Sequence, residues 1–420
     1  MGNINSGDIA WMLTSSALVL LMTPGLALFY GGMVKRKNVL NTMASSAFCM
    51  GLASILWVLI GFSLSFSGDI AGIIGNLHWF GMQGLESGAA MTAYAPTTVC
   101  FAIFQMMFAI ITPALITGAV VERMRFSALF IFIAVWSVIV YYPLAHMVWG
   151  GGFLFKLGAI DFAGGDVVHI SSGVSALTAA LVLGKRKNLG RAAYHPHNIP
   201  FVFLGAMLLW FGWFGFNAGS AGASNTLAVH AFITTNTACA AALLSWMFIE
   251  KIRNKKPTLL GMSTGAVIGL VSITPGAGFV PIWASIIIGA AVSPICYFFV
   301  TYVKPKFGYD DSLDAFGCHG IGGIWGGIAT GLFALKGFNP DPKLDAVRWN
   351  GLFFGQSELF VRQMAAIGIT IVVAVVGTLI ALGVAKLAVR KLRVSPRDED
   401  VGLDQSEHGE AAYPSFNGMD

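Results

Sequence analysis

Two histidines, His169 and His319, are the residues of this sequence best suited to chemistry. Each lies a few residues into a glycine-rich apolar segment, and each follows an aspartate, Asp166 or Asp314. A charged side chain at membrane depth is costly, so ionisable residues there are rare and usually line a pathway or relay protons. Two histidines in matching contexts therefore indicate a functional site.

The composition predicts that these segments are membrane helices. The 420 residues are 56% hydrophobic and 11% charged, against about 25% charged in an ordinary soluble domain. Apolar runs of roughly 20 residues match the ~30 Å hydrocarbon layer of a bilayer when they are helical. The net charge of +5 comes from short basic clusters between these runs, which set topology and do not indicate nucleic-acid binding. We therefore predict an all-α integral membrane protein.

The apolar runs and charge clusters define the predicted topology. Alternate connections hold most of the Lys and Arg residues, so the positive-inside rule places the N-terminus outside and the C-terminus in the cytoplasm. A multi-pass protein of the cytoplasmic (inner) membrane is expected. About eleven membrane helices are predicted to begin near Ile9, Val39, Thr97, Phe126, Val167, Ile199, Leu227, Thr258, Pro281, Ala315 and Phe360.

The order of these helices predicts an inverted 5+5 repeat. The transmembrane domain covers 1–393, with repeat one at about 9–185, repeat two at about 199–336 and an extra helix at about 360–389. A cytoplasmic tail, 394–420, follows. Because five is odd, the second repeat is upside down relative to the first. The best local match pairs the segment from Asp166 to His169 with that from Asp314 to His319.

The spacing leaves open whether the two histidines meet. If both helices ended at the membrane interface, the imidazoles would lie roughly 15–20 Å apart along the membrane normal. Contact requires both helices to extend beyond the hydrocarbon layer at their far ends.

Several strings, in order, resemble the ammonium transporter family (Amt/Mep/Rh), in its bacterial or archaeal Amt type. The likeness covers nearly the whole chain, so several long motifs support it together. They are Met22–Gly32, Asp161–Gly165 with Val168-His169, Gly212–Ser220, Gly317–Gly320, and Gly402–Asp404 with His408–Glu410 and Tyr413.

The resemblance implies an outer site that recruits ammonium, made by Trp149, Phe108 and Ser220. A cation over an aromatic ring gains about 0.5–2 kcal/mol, and the Ser220 hydroxyl can accept a hydrogen bond from the ion. Phe108 and Phe216 are implied to stack as a gate. Trp149 can instead be an interfacial aromatic. The four-residue spacing from Phe104 to Phe108 is also typical of ordinary helix packing, which is the expectation for Phe104.

Two aspartates near the first histidine have open roles. The resemblance implies that Asp161 shapes the recruitment site and assists deprotonation, whereas helix capping by its carboxylate is an equal alternative. Asp166 departs from the family pattern, which has a small polar residue there. One helical turn before His169, it is expected either to alter the pKa of that histidine or to cap the helix.

The resemblance implies that His169 and His319 form a pore-lining pair at mid-membrane. Neutral imidazole has one donor and one acceptor nitrogen, so a pair can contact ammonia and relay a proton. A metal site would need three or four ligands, and His78, His195, His197 and His408 lie elsewhere. Bis-histidine haem needs only two ligands and leaves a membrane oxidoreductase as a rival. We expect no metal, no cofactor and no enzymatic activity.

The predicted function is ammonium transport, with ammonia and a separately relayed proton crossing the pore and methylammonium as a further candidate substrate. The resemblance also implies a homotrimer and a PII-family signalling partner. Composition alone predicts a disordered tail. The family motif instead predicts a regulatory tail packed on a neighbouring subunit, through Gly402, Asp404, His408, Gly409, Glu410 and Tyr413. A passive ammonia channel and an ammonium sensor acting through its partner are the alternatives.

Overall fold

The computed structural model describes residues 5–85, 95–187, 189–190, 195–338 and 348–413, with side chains omitted for 95–97. Within these ranges the chain is helical, and only two isolated bridges have strand-like pairing. Nine helices of the described chain are long and apolar enough to cross a membrane. The main helices are α1 Ser6–Met33, α2 Arg36–Phe66, α3 Ala95–Val120, α4 126–148, α5 Gly165–Leu183, α6 Ile199–Gly219, α7 Thr226–Asn254, α8 Leu259–Ile273, α9 Ile282–Phe307, α10 316–333 and α11 Glu358–Val389.

Each of these helices begins within three residues of a start predicted from the sequence. Capping side chains explain part of this agreement. Asn5, Asn198, Asn225 and Thr258 each accept a hydrogen bond from a backbone N–H of the first turn that follows. Such caps satisfy donors that a helix start leaves without a partner.

Helices α5 and α10 run antiparallel, as the inverted repeat predicts. At the end of α5, Arg186 binds Asp310, which lies just before α10. At the end of α10, the N–H of Leu335 donates to the carbonyl of Phe279 at 2.8 Å. The Phe279 ring packs edge-on against Phe162, just before α5, at 5.2 Å between centroids. The start of each helix therefore lies near the end of the other.

Glycines let the backbones of α5 and α10 touch where they cross. A Cβ on Gly173 would lie 2.1 Å from the backbone nitrogen of Gly320, closer than any side chain permits. A Cβ on Gly323 would lie 3.0 Å from the Cβ of His169. Small residues allow such close helix packing in membranes. The crossing therefore lies one turn after His169 in α5 and directly after His319 in α10.

A buried ionic cluster lies where α5 ends and α10 begins. The Arg186 guanidinium binds Asp310 through two nitrogens, at 2.9 Å each, and Glu122 through the third at 2.8 Å. Burial raises the pKa of both carboxyl groups, but Arg186, with Lys35 beside Glu122 and Arg123 beside Asp310, outweighs it and lowers the pKa of each carboxyl group below the usual range. The cluster joins the end of α3, the end of α5 and the segment before α10.

The tail packs on the start of α2 of the same chain. Asp404 accepts the backbone N–H of Asn41 at 2.8 Å, and the Leu403 N–H donates to the Asn38 side chain at 2.8 Å. The Nε2 atom of His408 lies 3.0 Å from the Asn41 amide nitrogen. The disorder predicted from composition is therefore wrong for 394–413, because side-chain caps hold this segment. The rest of the predicted tail, 414–420, lies outside the described residues.

The glycine crossing predicts a specific mutational effect. Gly173→Ala would force α5 away from α10, because its Cβ would overlap the backbone of Gly320. Overpacking of this kind costs about 1–3 kcal/mol, so the thermal unfolding midpoint in detergent should fall by several degrees. Gly368→Ala in α11 is the matched control, since its Cβ has no neighbour within 4 Å. Equal midpoints for the two variants would contradict the backbone contact.

Candidate functional site

A cavity of about 180 Å³ opens at the end of α4, and we call it the Trp149 cavity. Trp149, Asp161 and Ser220 line it, as predicted, together with Phe104 and Gln105. The indole N–H of Trp149 donates to the backbone carbonyl of Asp161 at 2.8 Å, which fixes the ring. The Ser220 hydroxyl donates to the Phe216 carbonyl at 2.9 Å, so its oxygen stays able to accept a bond from a ligand.

Two stacked phenylalanines lie between Trp149 of this cavity and His169. The rings of Phe108 and Phe216 lie 4.2 Å apart between centroids and are tilted by 33°. Both side chains are about 1% exposed. Phe108 also lies 6.0 Å from the Trp149 ring and 4.9 Å from Phe104. Phe104 therefore both packs within its helix, as expected, and lines the cavity, which the spacing did not predict.

His169 and His319 meet beneath the phenylalanines. Their Nδ1 atoms lie 3.3 Å apart, and the rings are inclined by only 20°. Each histidine lies in a π-helical turn, Gly165–Ile170 or Phe316–Gly320, at the start of its helix. Two facing Nδ1 atoms can share a single hydrogen, with one ring donating and the other accepting. The wide separation considered from the sequence does not apply, because the helices cross closely beside both histidines.

The space around the pair is narrow and apolar. Its volume is about 10 Å³, enough for about one water molecule. The Trp213 ring stacks on His169 at 5.4 Å between centroids. The Nε2 atom of His169 is buried without a hydrogen-bond partner among the described residues. Both histidines and Phe216 line this space, with Met22, Leu26, Ile111, Leu115, Val168, Leu209, Trp213 and Val267.

Asp161 caps α5 and has a counterpart before α10. Its two oxygens accept the backbone N–H groups of residues 164, 165, 166 and 167, at 2.6 to 3.3 Å. Asp311 accepts the N–H groups of Ala315 and Phe316 in the same way. Each aspartate precedes its histidine by eight residues. Asp161 and Asp311 thus hold equivalent positions before the two histidine-bearing helices, unlike Asp166 and Asp314, which lie three and five residues before their histidines.

Asp166 is buried but does not face the histidine pair. Its carboxyl group lies beside Thr370 of α11. Its Oδ1 atom has no hydrogen-bond partner in the described part of the chain. Any effect of Asp166 on His169 would therefore act without a direct hydrogen bond.

Gln105 and Trp213 are site residues that the sequence reasoning did not select. Gln105 lines the Trp149 cavity, and its buried Oε1 atom has no partner among the residues described. Trp213 lines the lumen and donates through its indole N–H to Thr274 at 2.9 Å. The available signal was an amide in the apolar run around Phe104 and, for Trp213, its place within the Gly212–Ser220 motif.

No group of three or more His, Cys, Asp or Glu side chains within the described ranges has a metal-binding arrangement. The two facing histidines are the pair available for any two-ligand group. Their lumen of about 10 Å³ leaves no space for a macrocycle such as haem in this conformation.

Comparison with known proteins decides the family. The model of the Ammonium Transporter Family matches residues 10–413. The chain belongs to the ammonium transporter family. It is 51% identical over 407 residues to an ammonium transporter of Bacillus subtilis, covering 97% of this chain and 98% of that protein. A putative ammonium transporter of Methanothermobacter thermautotrophicus is 49% identical, with 98% and 99% covered.

Solved structures of the family share the fold. The crystal structure of Saccharomyces cerevisiae Mep2 matches with a TM-score of 0.88 and 35% identity, covering 100% of this chain and 94% of that one. The resemblance read from the motifs is confirmed. This ammonium transporter family member is a multi-pass, all-helical membrane transport protein.

The four N–H groups bound by Asp161 predict a structural effect of its charge. In Asp161→Asn, an NH2 group would replace one oxygen and face backbone donors of α5. Leaving buried donors without acceptors costs about 1–3 kcal/mol, so the unfolding midpoint in detergent should fall. Asp8→Asn is the control, because Asp8 accepts a single described bond, from the Ser224 N–H, that an amide oxygen can replace. A midpoint unchanged in Asp161→Asn would rule out the capping role.

Proposed function

We propose that this protein carries ammonium across the cytoplasmic membrane by recruiting the ion, removing its proton and conducting ammonia and the proton by separate steps. The observation that supports the proposal most is the contact of two buried imidazoles, 3.3 Å apart, in an apolar lumen beneath an aromatic gate. In this arrangement the apolar lumen offers a path to neutral ammonia, and the two imidazoles can hold a proton.

Recruitment is the proposed role of the Trp149 cavity, which faces outside in the topology that the charges predict. The Trp149 ring attracts a cation, and the Ser220 oxygen can accept one N–H bond from it. The partnerless Oε1 atom of Gln105 can accept another. Asp161 is held by backbone donors, so it contributes a fixed negative charge near the cavity.

Deprotonation is favoured by the gate. An ion that passes between Phe108 and Phe216 loses its water, and burial without compensation disfavours the charged form of an amine. Ammonia can then enter the lumen, while its proton passes to the His169–His319 pair, whose imidazoles can accept it. The gate thus selects for the neutral species by desolvation.

The histidine pair is proposed to conduct ammonia and relay the proton. One ring presents a hydrogen and the other a lone pair, so the shared hydrogen can move as a proton arrives at one end. The buried Nε2 atom of His169 lies at the lumen with no hydrogen-bond partner among the described residues, so it can bond to ammonia. Trp213 holds the ring in place by stacking.

The remaining features of the proposal concern assembly. The N-terminus is placed outside and the C-terminus in the cytoplasm by the charge distribution. A homotrimer with one pore per subunit and a PII-family partner on the cytoplasmic face follow from family membership. The docked tail supports a sensing function as the second candidate, because its contacts with α2 couple a regulatory segment to a membrane helix.

Removal of both imidazoles tests the mechanism. In proteoliposomes, addition of ammonium to wild-type protein should produce a current, and the His169→Ala, His319→Ala double variant should reduce it at least about tenfold, since each tenfold is about 1.4 kcal/mol of barrier. His78→Ala is the matched control, because His78 is exposed and lies outside the lumen. An unaffected current in the double variant would contradict the role of the pair. Uptake without current in wild type would favour the passive ammonia channel.

The tail contact yields a separate prediction. Gly402 has φ of +108°, and a Cβ there would lie 2.6 Å from the Lys37 carbonyl oxygen, whereas Gly409 at φ +68° has open space around it. Strain of this kind costs about 1–3 kcal/mol, so Gly402→Ala should speed hydrogen exchange at the Asn41 amide about tenfold or more. Gly409→Ala should change it less. If ammonium current responds to Gly402→Ala only, the tail tunes transport; exchange that is the same in both variants would contradict the docking.

A further inference from the structure

Another buried histidine, His146, lies close to Trp149 in the chain but outside the proposed transport path. His146, on the last turn of α4, is fully buried. It precedes Trp149 by three residues. Its partners are Asp69, in the segment after α2, and through Asp69 the exposed Lys156.

Both ring nitrogens of His146 face oxygen atoms. Its Nδ1 lies 3.1 Å from the backbone carbonyl oxygen of Ser65, and its Nε2 lies 3.1 Å from Oδ1 of Asp69. A carbonyl and a carboxylate oxygen can only accept hydrogen bonds. A neutral imidazole has one N–H and satisfies one of the two, so the pair of contacts requires a ring that carries both hydrogens.

Asp69 is suited to hold this charge. Hydrogen bonds from Lys156 and His146 lower the pKa of Asp69 to about 2. The same carboxylate accepts the Gly72 N–H at 2.7 Å through Oδ1, and its Oδ2 contacts the Lys156 ammonium. Among the described residues, the charged groups facing the imidazole are therefore the Asp69 carboxylate and, beyond it, the Lys156 ammonium. The carboxylate stays ionised throughout the range in which a histidine titrates.

The imidazole also touches the turn that carries Trp149. A Cβ on Gly150 would lie 2.1 Å from the Ser65 oxygen and 2.7 Å from Nδ1 of His146. The carbonyl of His146 accepts the N–H groups of Gly150 and Gly152, at 3.0 Å each. The His146 ring, the His146 carbonyl and the Gly150–Gly152 turn are therefore in mutual contact. If the ring moved, the turn would lose this support.

We propose that His146 is a positioning residue for the ammonium site: its doubly protonated ring, held between Ser65 and Asp69, fixes the turn that presents Trp149 to the cavity. This inference rests on the proposed recruitment role of the Trp149 cavity. It adds that affinity for ammonium depends on the outside pH. As the pH rises, the ring loses one hydrogen, one of the two contacts is lost, and the turn is freed.

Ammonium-induced currents measured against outside pH, from about pH 5.5 to about pH 8.5, test the proposal across the range in which histidine titrates. KM is expressed as ammonium-ion concentration, which removes the effect of substrate titration. Wild-type KM should rise about three- to tenfold over this range, as expected for the loss of one hydrogen bond. His146→Gln should have the raised KM at every pH, with little change in maximum current. His78→Gln is the control and should follow wild type.

Asp69→Asn should remove or reverse the rise of KM with pH. The amide nitrogen that this substitution introduces would donate to Nε2 of a neutral His146 ring, so the contact would improve as pH rises, and KM should stay level or fall. Because Asp69 is a third exposed, this variant is expected to fold even if His146→Gln does not. The same pH dependence of KM in Asp69→Asn and wild type would overturn the proposal, as would a wild-type KM profile in His146→Gln.

Trp149→Leu separates this proposal from the one on which it rests. If Trp149→Leu leaves KM unchanged, the recruitment role itself fails. If Trp149→Leu raises KM but His146→Gln and Asp69→Asn behave as wild type, recruitment stands and the positioning role is wrong. A raised KM in Trp149→Leu, together with the opposite pH slopes of wild type and Asp69→Asn, supports both.

Discussion

The contact between the backbones of α5 and α10 is the constraint on which the site depends. A methyl group on Gly173 would overlap the backbone of Gly320, and one on Gly320 would meet the Phe316 ring. This contact holds two antiparallel helices together within about one turn of each histidine. The two π-helical turns then direct the rings toward each other. Without the glycines, each imidazole would be an isolated polar group in an apolar segment, which is costly and rare.

The buried polar groups around the pore differ in whether other protein groups already bind them. Asp161 and Asp311 are occupied by backbone N–H groups of the helices that they cap. Arg186 is occupied by two carboxylates at the other end of α5. Within the described ranges, the two imidazoles have only each other as a hydrogen-bond contact, and Trp213 stacks on His169. The fold thus satisfies most buried polar atoms internally, as a membrane requires, and leaves the histidine pair available for a substrate.

Much of this fold was predictable from the sequence, because long apolar runs between basic clusters locate membrane helices and Asn or Thr caps mark several starts. The histidines were found for the same reason, as ionisable residues in apolar segments. Their contact could not be predicted, since it depends on where two helices cross, and glycine content alone does not locate a crossing.

Side-chain direction was the other limit. Asp166 is one turn from His169 in sequence but lies beside Thr370 of α11. The position of one residue on a buried helix does not show which neighbouring helix its side chain contacts. Gln105 could not be predicted as a site residue, because one amide in an apolar run is a weak indication of a binding site. The equal spacing of Asp161 and Asp311 from their histidines was present in the sequence. The stronger likeness of Asp166 and Asp314 in local context concealed it.

The central claim is that ammonia and a proton both cross, by way of the paired histidines. Net charge moved per labelled methylammonium, measured in the same proteoliposomes, tests this claim most directly. The account predicts about one elementary charge per methylammonium, because each recruited ion leaves one proton to the relay. Uptake of labelled methylammonium with no net charge would contradict it and would leave a passive channel for the neutral amine.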